Sequence, residues 1–102
     1  MKICNHCDTL IIYFDGEMDH YQVSLWREEC MQAIEMHKSV KVIFDFKDVS
    51  FIDSTGIGFI LGRYKQLLHQ HRELILQNCS KSVYRLFEMS GLFTIMKVVY
   101  DE

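Results

Sequence analysis

Residues 40–69 read VKVIFDFKDVSFIDSTGIGFILGRYKQLLH, a strand pattern followed by a helix pattern. Residues 40–46 form a short and mostly apolar run, which is typical of a strand buried in a sheet. Residues 54–69 carry apolar side chains at helical spacing, and a loop is expected before them at residues 47–52. A buried strand that leads into an amphipathic helix is the repeating unit of an α/β sheet.

The same alternation extends in both directions along the chain. Four further segments are predicted to form strands: residues 1–7, 9–14, 74–77 and 95–100. Residues 15–17 are expected to end the hairpin that the first two of these strands form. Asp19 and Ser80 are good N-caps and are predicted to open two further helices. The order β-β-α-β-α-β-α-β predicts a mixed, mostly parallel sheet of four to five strands, packed with three or more helices.

Composition limits the size and the class of the protein. The 102 residues are enough for one domain, predicted to span residues 1–102, and the apolar fraction of 49% can supply a core. A formal net charge of -3 argues against a nucleic-acid partner. No apolar run is long enough to span a membrane, and no secretory signal is visible. The four cysteines are therefore expected to stay reduced in the cytoplasm.

The helix start at residues 53–56, DSTG, is the most informative segment of the chain. If Asp53 is the N-cap, Ile52 and Ile57 occupy the two positions of a hydrophobic staple. If Ser54 is the cap, the staple positions hold residues that cannot form one. Asp53 is therefore predicted to cap the helix. Ser54 then occupies the first helical position, with its hydroxyl free at the positive end of the helix.

Two interpretations of this helix start stay open. In the first, residues 53–56 do no more than cap the helix, and these four residues alone favour that interpretation. In the second, Ser54 is a phosphorylation site, where a phosphate adds about -1.5 to -2 charges at pH 7. The free N–H groups of a helix start can hold that charge without melting the helix. Phosphorylation then changes the surface and leaves the fold intact.

The helix behind this start is predicted to have one buried and one open face. The buried stripe is expected to consist of Ile57, Ile60, Leu61, Tyr64, Leu67 and Leu68. Thr55, Phe59, Gly62 and Gln66 fall opposite this stripe, so Phe59 is predicted to be exposed. With Gly58 beside it, this face is a candidate docking surface. The alternative is that a neighbouring helix or loop of the same chain covers Phe59.

Three weaker patterns point to other chemistry. The glycines within residues 56–62 resemble a dinucleotide-binding pattern, but they lie inside a helix and follow the expected loop instead of a strand. Residues 4–7, CNHC, offer two thiols and an imidazole, but no second pair at zinc-site spacing. His20 can serve Ser54 as a base only if the two helix starts meet, and no oxyanion site is evident. No metal, cofactor or catalytic residue is therefore expected.

Three segments match the motifs of one known family. Residues 16–20, GEMDH, are similar to its Gly-Glu-Leu-Asp-His motif. Residues 51–58, FIDSTGIG, running on into ILGRYKQ at residues 60–66, resemble its phosphorylation loop and the helix that follows. Residues 85–93, RLFEMSGLF, are similar to its third-helix motif. The family is that of the STAS-domain anti-sigma factor antagonists. The resemblance covers nearly the whole chain and implies a single STAS domain.

The resemblance implies a regulatory protein and not an enzyme. In this family the unphosphorylated antagonist binds an anti-sigma factor that is also a serine kinase, and a sigma factor is freed. The kinase phosphorylates the serine directly after the aspartate, which matches Ser54, and a PP2C-type phosphatase reverses the reaction. The residues then expected to bind the partner are Asp19, His20, Asp53, Ser54, Thr55, Gly56, Gly58, Phe59 and Gly62.

Some consequences of the resemblance stay open. The motifs favour a sporulation sigma factor, and the alternatives are a general stress-response sigma pathway or a small-ligand or nucleotide-binding STAS module. Thr55 stands where sporulation members carry a second serine, so it is an alternative phosphate acceptor. The chain stops at Glu102, soon after the last predicted strand, and the family's C-terminal helix is expected to be missing.

Overall fold

The computed structural model describes residues 1–100, without the side chain of Tyr100. Its elements are β1 (Lys2–His6), β2 (Thr9–Met18), α1 (His20–Met36), β3 (Lys41–Ile52), α2 (Ser54–Leu68), β4 (Glu73–Cys79), α3 (Lys81–Met89) and β5 (Lys97–Tyr100). Within residues 1–100, no helix is long and apolar enough to cross a membrane. The predicted domain limits include residues 101–102, which lie outside the described residues.

The five strands form one sheet in the order β1-β2-β3-β4-β5. β1 pairs antiparallel with β2, and the other three pairs are parallel. The prediction of a mixed and mostly parallel sheet is therefore confirmed. Because consecutive parallel strands are joined by right-handed crossovers, all three connecting helices are placed on the same face of the sheet.

The core lies between the helices and this one face of the sheet. Each helix packs an aromatic ring against a strand ring, with centroid distances of 5.3 Å for Trp26 and Phe14, 6.3 Å for Phe59 and Phe44, and 5.3 Å for Phe87 and Phe46. Such aromatic pairs contribute about 0.5–1.5 kcal/mol each beyond the area they bury. The residues that alternate with these ring positions point to the opposite face, and Ile11, Ile43 and Ile75 lie outside the core cluster.

β2 and β3 are longer than the sequence predicted. The turn expected at residues 15–17 and the loop expected at residues 47–52 were both wrong, because these segments pair with each other as parallel strand. The pairing of β2 with β3 shifts register twice, between Tyr13 and Asp15 and between Gly16 and Glu17. These irregularities fall where polar residues and a glycine interrupt the apolar pattern of β2. Gly16 has a φ of +80°, which glycine adopts without strain. The extension carries the strands to Met18 and Ile52, each directly before a helix start.

The helices lie close to their predicted positions. α2 spans Ser54–Leu68, one residue shorter than expected, and Ser80 caps α3 by accepting from the Val83 N–H at 3.3 Å. β5 begins at Lys97, two residues later than predicted, because a short 3-10 turn at Leu92–Thr94 comes before it.

Candidate functional site

The ends of β2 and β3 bring two helix starts together. Met18 and Ile52 are register partners, and the Asp53 N–H donates to the Met18 carbonyl oxygen at 3.3 Å. Asp19 caps α1 and Asp53 caps α2, each accepting a backbone N–H bond, at 2.9 Å and 3.0 Å respectively. Both predicted N-caps are confirmed. The starts of α1 and α2 therefore lie side by side at the carboxyl edge of the sheet.

Ser54 is the first residue of α2, and its side chain is exposed. Because Asp53 supplies the cap, the Ser54 hydroxyl is not needed for that purpose, and it makes no hydrogen bond within residues 1–100. It lies at the positive end of the helix, which favours a negative group. Thr55 is half-buried. Ser54 is therefore the more accessible of the two candidate acceptors.

Gly56 holds the two helix starts in close contact. A Cβ added to it would lie 2.6 Å from the Met18 carbonyl oxygen and 2.8 Å from Cγ2 of Ile52. Gly56 is buried, so it supports the site from below and offers no surface to a partner. The sequence marks Met18 as the residue directly before the Asp19 cap in the GEMDH segment, but its contact with the start of α2 was not predicted.

The prediction that Phe59 is exposed was wrong. Phe59 is only 2% exposed, stacks on Phe44 and meets Phe14 edge-on. The face of α2 that packs against the sheet therefore differs from the predicted stripe. It includes Phe59, whose ring joins the aromatic cluster on the sheet. Leu68, predicted to be buried, is accordingly 55% exposed. The alternative was right that the chain itself covers Phe59, but strands β2 and β3 cover it, and not the neighbouring helix or loop that was expected.

Gly58 and Gly62 form an open surface on α2. Gly58 is exposed and Gly62 is half-buried, and a Cβ added to either would meet nothing within 4 Å. They follow Ser54 at intervals of four residues, so the three lie along one ridge of the helix. Each glycine costs the helix about 1 kcal/mol relative to alanine, and packing within the chain does not require either of them.

The site shows no arrangement typical of hydrolysis. His20 is the first residue of α1 and is exposed, but it forms no hydrogen bond with Ser54. One argument against dinucleotide binding was wrong, because β3 runs to Ile52 and the glycines follow a strand directly. The other argument holds, since the glycines lie within helix α2 and not in a tight turn.

The cysteines divide into two exposed and two buried thiols. Cys4 and Cys7 are exposed, and Cys30 and Cys79 are buried. Within residues 1–100, no group of three or more His, Cys, Asp or Glu side chains could hold a metal ion. Burial raises the pKa of the Cys30 thiol to about 12, so little reactive thiolate forms there at neutral pH.

We expect this division to appear in thiol labelling. At pH 8, a chromogenic disulfide reagent should modify Cys4 and Cys7 rapidly, and Cys30 and Cys79 only after unfolding in denaturant. A Cys4→Ser, Cys7→Ser double variant is the matched control and should show almost no rapid phase. Rapid labelling of the folded double variant would contradict the burial of Cys30 or Cys79.

The sequence relationships of the chain agree with this fold. A STAS domain model matches residues 2–102. The anti-sigma F factor antagonist of Paenibacillus polymyxa is 35% identical over 98 residues, which cover 96% of this chain and 84% of the relative. The anti-sigma-B factor antagonist of Listeria monocytogenes is 32% identical over 91 residues, which cover 89% and 79%. This chain therefore belongs to the STAS-domain family. The resemblance to anti-sigma factor antagonists that its motifs indicated is confirmed.

Two solved structures extend the comparison. The anti-sigma factor antagonist SpoIIAA in its unphosphorylated form matches with a TM-score of 0.81 and 33% identity, over 95% of this chain and 85% of that one. The Bacillus cell fate determinant SpoIIAA in the phosphorylated form matches with a TM-score of 0.73 and 32% identity, over 95% and 88%. The predicted STAS-type α/β fold is therefore confirmed.

Proposed function

We propose that this anti-sigma factor antagonist is switched by phosphorylation of Ser54. The observation that carries the proposal is the exposed hydroxyl of Ser54 at the start of α2, left without a structural role because Asp53 caps the helix. The unphosphorylated protein binds an anti-sigma factor that is also a serine kinase. Phosphorylation ends the complex, and a PP2C-type phosphatase restores it.

Charge explains how one phosphate ends binding. Asp19 and Asp53 already place two carboxylates at the neighbouring helix starts, and the protein carries a formal net charge of -3. A phosphate on Ser54 adds about -1.5 to -2 charges at the same edge. A partner that binds over this edge must then either remove water from the phosphate or place its own acidic groups near it. Both cost binding free energy. Each 1.4 kcal/mol lost lowers the affinity about tenfold.

The partner-binding face that we propose surrounds Ser54. It consists of Asp19, His20, Asp53, Ser54, Thr55, Gly58 and Gly62, all of them exposed or half-buried. Gly56 and Phe59 were expected in this set, but both are buried. They shape the face from below, Gly56 by setting the distance between the helix starts and Phe59 by anchoring α2 to the sheet.

We propose a sporulation sigma factor as the one that is released, and the cytoplasm as the location. The sporulation motifs in residues 60–66 and 85–93 support this choice. Relatives named for sigma F and for sigma B have similar identities, 35% and 32%, so the pathway needs a direct test. A gene neighbourhood that encodes a sigma-B regulator and no sporulation sigma factor would decide for stress response.

The central experiment is co-purification with the cognate anti-sigma factor, with and without ATP. We expect a stable complex without ATP, and dissociation together with one added phosphate when ATP is present. Mass spectrometry should place that phosphate on Ser54. A phosphate on Thr55 or elsewhere, or no phosphate in an active complex, would overturn the proposed switch.

Replacing Gly62 by alanine should change stability and binding in opposite directions. The added methyl group meets nothing in the folded chain, so the helix should gain up to about 1 kcal/mol. The same methyl group projects into the proposed contact, so affinity for the anti-sigma factor should fall at least severalfold. Urea unfolding and calorimetric titration measure the two effects. If the Gly62→Ala variant is more stable but binds with unchanged affinity, Gly62 is not part of the partner contact.

A further inference from the structure

A second surface begins immediately beside the helix start of α2. Phe51 is 49% exposed, although it is a large aromatic residue three positions before Ser54. It lies in a groove between the end of β3 and the first turns of α3. The groove is lined by Ser50, Phe51, Ile52, Ser82, Val83 and Leu86. Because Ile52 lines the groove and also precedes the Asp53 cap, the groove is continuous with the edge that carries Ser54.

The α3 side of this groove carries apolar side chains in addition to those that α3 buries in the core. Val83 and Phe87 are the residues of α3 that the core buries. Ser82, Leu86 and Met89 follow one another at four and three residues, so they share the side of the helix that faces the groove. Leu86 is half-buried and Met89 is 78% exposed. Together with Phe51, they leave an apolar strip that the described part of the chain does not cover.

Basic side chains flank the same wall. Lys81 and Arg85 are exposed and lie one turn apart on α3. Within residues 1–100, neither of them forms an ion pair. Glu88 is also exposed and lies three residues after Arg85 on the same helix, so two positive charges and one negative charge leave this edge with a local net charge of about +1. The edge is therefore locally positive in a protein of formal net charge -3. Exposed aromatic rings and arginine side chains are both enriched at protein interfaces.

We propose that this groove binds an acidic segment of the same anti-sigma factor as a second docking contact. An apolar side chain of that segment inserts between Phe51 and Leu86, and its carboxylates pair with Lys81 and Arg85. The proposal rests on the proposed function, because it takes the anti-sigma factor as the partner. It extends the contact from α1 and α2 across β3 to α3.

Charge favours this occupant over a second copy of the chain. A two-fold dimer through the groove would bring Lys81 and Arg85 of each copy towards the same residues of the other, because such an interface uses the same patch twice. An acidic partner segment avoids this repulsion, and its attraction to the basic flank weakens as salt rises.

The test compares two groove variants with two matched controls, each titrated in its unphosphorylated form against the anti-sigma factor. Phe51→Ala removes the exposed ring, and Leu68→Ala removes a similarly exposed apolar side chain at the far end of α2. Arg85→Glu reverses a charge at the groove, and Lys41→Glu makes the same change at the first residue of β3, away from the helix starts. Both groove variants should bind about tenfold more weakly or worse, a loss of about 1.4 kcal/mol. Both controls should bind within about twofold of wild type.

The outcomes separate this inference from the proposed function. If wild type binds and all four variants bind like it, the groove is not a contact, while the Ser54 switch stands. If wild type does not bind the anti-sigma factor, the proposed function fails and this inference fails with it. Arg85→Glu alters only an exposed side chain, so it decides the question even if Phe51→Ala unfolds. Its affinity should also depend less on salt than that of wild type.

Discussion

Replacing Gly56 by alanine is expected to destabilise the protein by about 2 kcal/mol, the size typical of an overpacked site. The added Cβ would lie 2.6 Å from the Met18 carbonyl oxygen and 2.8 Å from Cγ2 of Ile52. Neither neighbour can move cheaply, because one is backbone and the other belongs to a branched side chain buried in the core. This clash outweighs the gain of about 1 kcal/mol that alanine offers in a helix.

Urea unfolding of wild type and variant measures this loss directly, as a lower midpoint with an unchanged slope. Gly58→Ala is the matched control, since a Cβ at that position meets nothing within 4 Å and should stabilise the helix. An equal gain in stability for both variants would show that α2 does not approach β2 as closely as described. The Gly56 variant should also bind the anti-sigma factor more weakly, because the clash separates Asp19 from Ser54.

The chemistry of the helix starts could be predicted because it is local. Asp19 and Asp53 cap their helices through N–H groups three residues ahead, so a few adjacent letters contain the whole interaction. The same holds for the position of Ser54, which followed from the staple residues on either side of the cap. Short-range chemistry of this kind does not depend on how the rest of the chain packs.

The features that sequence reasoning missed depend on distant partners. Residues 47–52 form strand because residues 15–18 lie beside them, and neither segment has a convincing strand pattern alone. Phe59 is buried because α2 must fill a cavity between aromatic rings that come from β2 and β3. A helical wheel gives the relative angles of side chains, but it does not identify the side that meets the sheet when apolar residues surround most of the helix.

The wrong loop at residues 47–52 and the wrong exposure of Phe59 together change which residues form the contact surface. With a loop at residues 47–52, Asp19 and Asp53 have no fixed relation, and Phe59 is the obvious contact residue. With continuous strands, the two caps are neighbours and Phe59 becomes an anchor. The contact surface passes instead to the ridge of Ser54, Gly58 and Gly62, which is bare because two of its three residues lack side chains.

The largest effect on function is expected from Ser54→Asp, which should weaken binding to the anti-sigma factor at least tenfold. An aspartate brings one negative charge to a helix start that already carries Asp19 and Asp53. The fold should tolerate it, since an acidic residue in the first turn gains about 0.3–1 kcal/mol from the helix dipole. Ser54→Ala should bind as wild type does and remain bound when ATP is added, because it cannot be phosphorylated.

Two controls isolate charge at this position as the cause. Lys41→Gln changes the net charge by the same single unit at the first residue of β3, and it should leave the affinity unchanged. Thr55→Ala should bind, accept phosphate on Ser54 and dissociate with ATP, because it keeps Ser54, the proposed acceptor, and alters only the half-buried Thr55. If Ser54→Asp binds as tightly as wild type while Ser54→Ala resists ATP, the phosphate acts through its size and not through its charge. If the Thr55→Ala complex stays intact with ATP while the Ser54→Ala complex dissociates, Thr55 is the phosphate acceptor. The proposed switch at Ser54 is then wrong.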